Sequence, residues 1–169
     1  MPKGFRNDGQ IVITVLSADL ENTPDVMAIV GASAALAISS IPSEDLVGAC
    51  RVSYLDDEYI INPTYSEIQR STLNVVVSGT KEAVVMVEAG ADEVSEATVL
   101  EAIRRAQVVN SEIVDVLKDM EKSVGQPRMT VAAVDLHDGV KVAVENLLNG
   151  RLSKILREEA DKVTREAAL

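Results

Sequence analysis

The chain has 169 residues, with 16 Lys and Arg against 27 Asp and Glu, a formal net charge of −11, one Cys, no Trp, one Phe and three Tyr. That length holds one domain, or one domain with an appendage, and a substantial core. An acidic chain this poor in aromatics is excluded as a self-sufficient nucleic-acid binder, which needs cations for the phosphates and rings for the bases, and as a binder of anionic membranes.

Cys50 is alone, so no intramolecular disulfide forms and a reducing compartment is expected. Met1-Pro2-Lys3-Gly4-Phe5 opens no signal-peptide pattern, which makes the cytoplasm the expected setting. Taken in order, residues 10–16 (Gln-Ile-Val-Ile-Thr-Val-Leu) are apolar and β-branched and predict a strand covered on both faces. Ser17 to Pro24 reads as a polar loop. Residues 25–42 then form the central element. Val26 to Leu36 is almost wholly small or apolar, which predicts a helix buried on every side, with Gly31, Ala32, Ser33, Ala34 and Ala35 admitting a neighbouring backbone. Thr23 or Asp25 can cap its start, and Ser39-Ser40-Ile41-Pro42 stops it.

Val47 to Leu55 and Tyr59 to Asn62 predict a hairpin around Asp56-Asp57-Glu58. Ser66 to Arg70 reads as a short helical turn. Leu73 to Val77 and Val84 to Val87 are two further strands, and Ala89-Gly90-Ala91-Asp92 is a loop. Ser95 opens a long helix that Gly125-Gln126-Pro127 ends, with an apolar line through Val99, Ile103, Ala106, Val109, Ile113, Val116, Met120 and Val124. Its opposite face carries Glu101, Arg104, Arg105, Glu112, Asp115, Lys118 and Glu121, so it is an amphipathic helix lying on a sheet. Residues 128–138 have no clear period and read as a linker. A last helical stretch from about Asp138 runs to the C-terminus along Val140, Val144, Leu147, Leu148, Leu152, Ile155, Leu156 and Val163, interrupted by Gly150 at a cost of about 1 kcal/mol.

Pro2-Lys3-Gly4-Phe5, Thr14-Val15-Leu16-Ser17, Pro24-Asp25-Val26, Gly31-Ala32-Ser33-Ala34-Ala35-Leu36, Ile41-Pro42, Asn62-Pro63-Thr64, Ser78-Gly79-Thr80 and Met86-Val87-Glu88-Ala89 stand in series. In that order they resemble the first RNase PH-type repeat of the bacterial polynucleotide phosphorylase (polyribonucleotide nucleotidyltransferase) family. The resemblance covers roughly residues 2–126. It continues more weakly to the end, where Val144 to Arg157 is similar to the start of the family's all-helical inter-repeat domain. It implies an α/β (α+β) fold, a partial RNase PH-like domain (ribosomal protein S5 domain 2-like) with a mixed sheet, packed helices and a helical C-terminal extension. The expected division is residues 1–126 for the C-terminal half of the first repeat, 127–137 for a linker and 138–169 for the helical extension. The repeat's N-terminal half with its channel loop, the second repeat, and the KH and S1 modules are expected to lie outside this slice.

The family is a 3′–5′ phosphorolytic exoribonuclease of mRNA degradation, a magnesium-dependent nucleotidyltransferase that forms a trimeric ring around an RNA channel. Its second repeat is the catalytic one. There a serine-rich turn before the counterpart of the central helix holds phosphate, a natural role for N–H groups at a helix start. Those positions fall at about Thr23, Pro24 and Asp25 here, where Pro lacks an N–H and Asp repels phosphate. The family's metal-binding Asp and charge-neutralising Lys fall at Asn74 and Val76, and a further metal-site Asp falls near Ile68. The resemblance therefore carries no catalytic, metal or cofactor-binding residue onto this chain. Magnesium belongs to the parent enzyme through the absent second repeat, RNA is a partner through the full-length parent, and no membrane is implied.

Other constellations have plain structural readings. Asp56, Asp57 and Glu58 could gather a divalent cation, but a solvated hairpin turn suits their spacing better. His137 reads as a surface histidine, and Cys50 beside Arg51 as a small core residue. Arg51, Arg70, Arg104 and Arg105 are the basic residues to consider for RNA contact, with the last two paired along their own helix. The expected role is that of a non-catalytic part that completes the ring and lines the RNA path. Unpaired edge strands make the isolated chain expected to self-associate. Two other classes remain open: a structural or interaction protein using an acidic C-terminal helix, and a nucleotide-processing activity built on Asp56, Asp57 and Glu58.

Overall fold

A computed structural model describes residues 1–132, 138–158 and 161–168. The chain divides into two compact units, Met1–Ala132 and Ala133–Leu169. In the first unit a helix, α1 (Asp25–Ile38), precedes a hairpin of β1 (Gly48–Leu55) and β2 (Glu58–Ile61). A short helix α2 (Tyr65–Arg70) leads to β3 (Leu73–Gly79) and β4 (Val84–Ala91), and the long helix α3 (Glu96–Val124) follows. The four strands form one sheet in the order β2-β1-β3-β4. The α/β (α+β) class is as expected. Within it every strand pair is antiparallel, where a mixed sheet is expected, because β1–β2 and β3–β4 are hairpins and β1 pairs β3 antiparallel.

The hairpin turns at Asp56 and Asp57, both with positive φ, so two residues suffice and Glu58 already pairs with Leu55. That left-handed pair is the turn whose twist suits a tight hairpin. Asn62, also left-handed, accepts the Arg51 N–H at 3.0 Å and extends the ladder by one step. Thr64 then caps α2. Its hydroxyl accepts the Glu67 N–H, while the Glu67 carboxylate accepts the Thr64 N–H at 2.7 Å, a closed capping box. The loop expected at residues 89–92 is mostly strand, because Ala89, Gly90 and Ala91 continue the ladder opposite Val75, Asn74 and Leu73.

Alternation along the strands gives the sheet two faces. Cys50, Val52, Leu73, Val75 and Val77 meet Ala102 and Ala106 of α3. Ala49 and Val76 point the other way, onto Val26, Ile29 and Val30 of α1. Beyond the sheet, Ala37 of α1 and Leu46 meet Val114 and Leu117 of α3. The α3 backbone comes so close to β1 that a Cβ on Gly48 would lie 2.6 Å from the Asn110 carbonyl, and Asn110 donates its side-chain N–H to Val77 O at 3.1 Å. Of the apolar line expected on α3, Val116 and Val124 are 68% and 59% exposed, and Ala102, Asn110, Val114 and Leu117 are buried instead. The buried face shifts because the first half of the helix lies on the sheet and the second half on α1.

Two expectations are corrected. The central helix ends at Ile38, just before the expected stop at Ser39-Ser40-Ile41-Pro42, but it is buried along one side only. Val26, Ser33 and Ala37 face inward, while Met27, Gly31, Ala35 and Ile38 form an exposed line. Its N-cap is Pro24, with no side-chain cap. Residues 10–16 form no strand. Ile11, Val12, Ile13, Val15 and Leu16 are all at least half exposed, because among the described residues no strand lies alongside to accept their backbone hydrogen bonds.

After α3, the chain is tied back to α1. Gln126 N–H donates to Ile38 O, and Met129 N–H to Ser40 O. The Arg128 guanidinium donates to the Leu36, Ser39 and Ile41 carbonyls and pairs with Glu121. One cation thus satisfies carbonyls left open at the end of α1.

The second unit holds α4 (Asp138–Leu148), α5 (Arg151–Glu158) and α6 (Lys162–Ala168). The single helical stretch expected there is broken at Asn149 and Gly150, which both take positive φ. It is also not acidic. Asp138, Glu145, Glu158, Glu159, Asp161 and Glu166 are matched by Lys141, Arg151, Lys154, Arg157, Lys162 and Arg165, so the net charge of −11 belongs to residues 1–137. His137 lies outside the described residues. Among the described residues no helix is long and apolar enough to cross a membrane.

Candidate functional site at the start of the first helix

The face of the sheet that carries α1 also carries a row of polar side chains. Arg51 of β1, Val76 of β3 and Glu88 of β4 stand directly opposite one another across three strands, and Asn74 stands opposite Gly90 one step along. With Asp25 from the first turn of α1 they line a cavity of about 290 Å³. Three positions counted from the sequence, Asp25, Asn74 and Val76, thus meet at one site. Thr23, Pro24 and Ile68 do not line it; Ile68 sits on α2.

Arg51 organises the cavity. It donates to Asn74 Oδ1 at 2.8 Å through Nη1 and to Asp25 Oδ2 through Nη2. The Arg51 side chain is 13% exposed, while that of Asp25 is 51% exposed. The other Asp25 oxygen accepts the Val26 N–H at 2.8 Å. Burial pushes the Asp25 carboxyl up, but the Val26 N–H, the Thr23 side chain and Arg51 together outweigh it and hold the group below its ordinary value. The Asp25 carboxyl is therefore ionised at neutral pH.

The residues present do not fit a magnesium ion. Asn74 brings no charge and is engaged by Arg51, Val76 has no donor atom, and the Asp25 carboxylate is held by Arg51 and Val26. Among the described residues no group of three or more His, Cys, Asp or Glu gathers anywhere. At the hairpin, Asp56 pairs with Arg70 at 3.1 Å, Asp57 accepts the Tyr54 hydroxyl at 3.1 Å, and Glu58 lies in the β2 ladder.

The remaining arginines considered for RNA are also engaged. Arg105 donates to Glu101 at 2.9 Å and lies 4.6 Å over the Tyr59 ring, and Arg104 reaches Glu101 at 4.0 Å. The role of Arg51 was only half legible. A lone cation between the apolar Cys50 and Val52 on an alternating strand signals a counter-ion on the other face, but only the fold identifies it as Asp25. Arg128, the best-connected guanidinium in the first unit, carried no such signal.

Comparison with known proteins bears on the whole chain. The 3′ exoribonuclease family, domain 2, matches residues 45–109, which run from the entry to β1 into α3. Polyribonucleotide nucleotidyltransferase of Dehalococcoides mccartyi (strain CBDB1) is 40% identical over 169 residues, covering 100% of this chain and 23% of that protein. The Caldicellulosiruptor bescii protein of the same name is 42% identical over 168 residues, covering 99% of this chain and 24% of its own length. The chain thus spans about a quarter of the length of these relatives. Rice (Oryza sativa) Rrp46 shares the fold, with a TM-score of 0.55 and 21% identity over 61% of this chain and 50% of that one. Residues 45–109 are thus similar to domain 2 of the 3′ exoribonuclease family, and the chain is similar, from end to end, to a segment of polyribonucleotide nucleotidyltransferase.

Proposed function

We propose that this chain is the non-catalytic first-repeat part of a polyribonucleotide nucleotidyltransferase. In this reading residues 1–126 are the C-terminal half of an RNase PH-like repeat, 127–137 a linker and 138–169 the start of the helical inter-repeat domain. The whole protein degrades RNA from its 3′ end in the cytoplasm, using inorganic phosphate to release nucleoside diphosphates. Its magnesium and its chemistry belong to the second repeat. The part played by this chain is to complete a ring of three subunits, seat the catalytic repeat and line the RNA path. Taken alone, it self-associates through surfaces that the rest of the protein covers.

The observation that carries this reading is the pair Asn74 and Val76. They stand on one strand, facing one cavity, and supply neither a carboxylate for a metal nor an amine for developing negative charge. Phosphoryl transfer depends on such electrostatic clamps, so the cavity is unequipped for it. The test is nucleoside diphosphate release from poly(A) with phosphate and magnesium. The expected result is no release from the purified 169-residue chain and release from a full-length relative under the same conditions. Phosphate-dependent release by this chain alone would overturn the reading.

A further inference from the structure

Two strand-forming stretches of the first unit have open backbone edges, and they match in length and chemistry. β4 ends the sheet with all eight residues exposed, and among the described residues no strand pairs its outer edge. Edges are ordinarily protected by Lys, Pro or an inward charge, yet Glu88 is the one charged residue along Val84–Ala91. Residues 10–16 are apolar and β-branched, lie in no helix or strand, and keep Ile11, Val12, Ile13, Val15 and Leu16 at least half exposed. A stretch apolar on both faces suits an edge whose Val85 and Val87 on one face and Met86 on the other are likewise apolar and exposed.

We propose that residues 10–16 of a second copy of this chain add to the β4 edge as an antiparallel fifth strand, and that reciprocal exchange of the two segments closes a dimer. Charge sets the direction. Antiparallel pairing runs Gln10 toward Ala91 and Leu16 toward Val84, which brings Lys3 and Arg6, set against Asp8, past Asp92 and Glu93. Parallel pairing would bring Asp19 and Glu21 there instead, like against like. Reach excludes the chain's own segment. Glu21 O accepts the Tyr65 N–H at 2.9 Å and Asn22 bridges Thr64, at the β2 side of the sheet. From there to a place beyond β4 is about four strand spacings, ~19 Å. The residues from Leu16 to Glu21 span at most ~18 Å when fully extended. They are not fully extended, because Leu20 has φ 64° and the Asp19 carboxylate accepts the Glu21 and Asn22 N–H groups at 2.9 and 2.8 Å. Exchange of an identical segment is a low-cost route to a symmetric dimer. This inference rests on the self-association in the proposed function and names its surface; it is independent of the RNA-degrading activity.

The experiment is light scattering of the full chain over a concentration series, for the wild type, Ile13→Pro, Val85→Lys and Met27→Lys, each checked by circular dichroism. Ile13 lies in no element, so its variant keeps the fold while losing a ladder N–H. The wild-type mass is expected to level off at twice 18.1 kDa. Ile13→Pro and Val85→Lys are each expected to raise the dimer dissociation constant at least about ten-fold, and Met27→Lys, on the exposed line of α1, to leave it unchanged. A double variant, Leu16→Cys with Val85→Cys, treated with a short bifunctional thiol reagent, is expected to form a covalent dimer. Leu16→Cys with Ala91→Cys is expected not to, since the far end of the strand lies ~20 Å away. A wild type that stays monomeric would overturn this proposal and the self-association together. Association unchanged in both Ile13→Pro and Val85→Lys would overturn this interface alone, as would a cross-link formed within one chain.

Discussion

Cys50 shows how one enclosed atom sets a residue's chemistry. It is 0% exposed within the core between β1 and α3, and its thiol faces Ala106 O at 3.6 Å. Burial pushes the thiol up to about 11. The adjacent Arg51 does not activate it, because successive strand residues point to opposite faces. The thiol is therefore neutral and inert at neutral pH. A disulfide-exchange reagent is expected to leave Cys50 unmodified in the folded chain and to titrate one thiol after denaturation. The raised value also fixes a sign. The fold favours the protonated thiol, so this contribution is complete below the unfolded value of about 8.5 and is lost as pH rises toward 11. Melting temperature should fall over that interval, and a Cys50→Ala variant should lose that component of the fall. Fast labelling of the folded chain would contradict this account.

At the scale of elements, the capping box on α2 is the clearest case of a local signal that packing did not override. Thr64 and Glu67 stand three apart, the spacing by which such a box is recognised, and each satisfies the other's backbone N–H. A six-residue helix cannot hold itself in water, so its cap and its place between β2 and β3 must hold it. Thr64→Ala is expected to destabilise the chain by about 1 kcal/mol, and Thr64→Ser to recover most of that, read from urea unfolding midpoints. An unchanged midpoint for Thr64→Ala would mean that tertiary contacts alone position α2. The hairpin was similarly legible from Asp56 and Asp57, which tolerate the left-handed backbone they adopt. The break at Asn149 and Gly150 belongs to the same class, since both residue types accept positive φ. The extent of β4 was not legible. Ala89, Gly90 and Ala91 have weak strand preference, and the β3 ladder holds them extended.

At the scale of the whole molecule, three apolar surfaces of the first unit are exposed among the described residues. All residues of β4 are exposed and its outer edge is unpaired, with Val84, Val85, Met86 and Val87 39%, 64%, 38% and 44% accessible. Residues 11–16 are exposed and lie in no helix or strand, and the Met27–Gly31–Ala35–Ile38 line of α1 faces outward. Open edges and contiguous apolar faces drive association. Multi-angle light scattering is expected to give a mass above the 18.1 kDa monomer that rises with concentration. A concentration-independent monomer with a sharp melt would contradict it.

The residues alone determined the order of the helices and strands from α1 to α3 and the family resemblance, because caps, turn residues and apolar periodicity act over a few positions. They also fixed that Asn74 and Val76 bring neither a carboxylate nor an amine, since a side chain without that charge lacks it in any fold. Tertiary structure alone decided which apolar stretches are covered. Residues 10–16 and α1 carry patterns suited to full burial, yet burial requires a neighbour, and that is a property of the assembled surface and not of the stretch. It alone also decided that Arg51 meets Asp25 and that Arg128 closes the end of α1. Those contacts join residues 26 and 92 positions apart, and such distances come within reach only after the sheet and the long helix have packed.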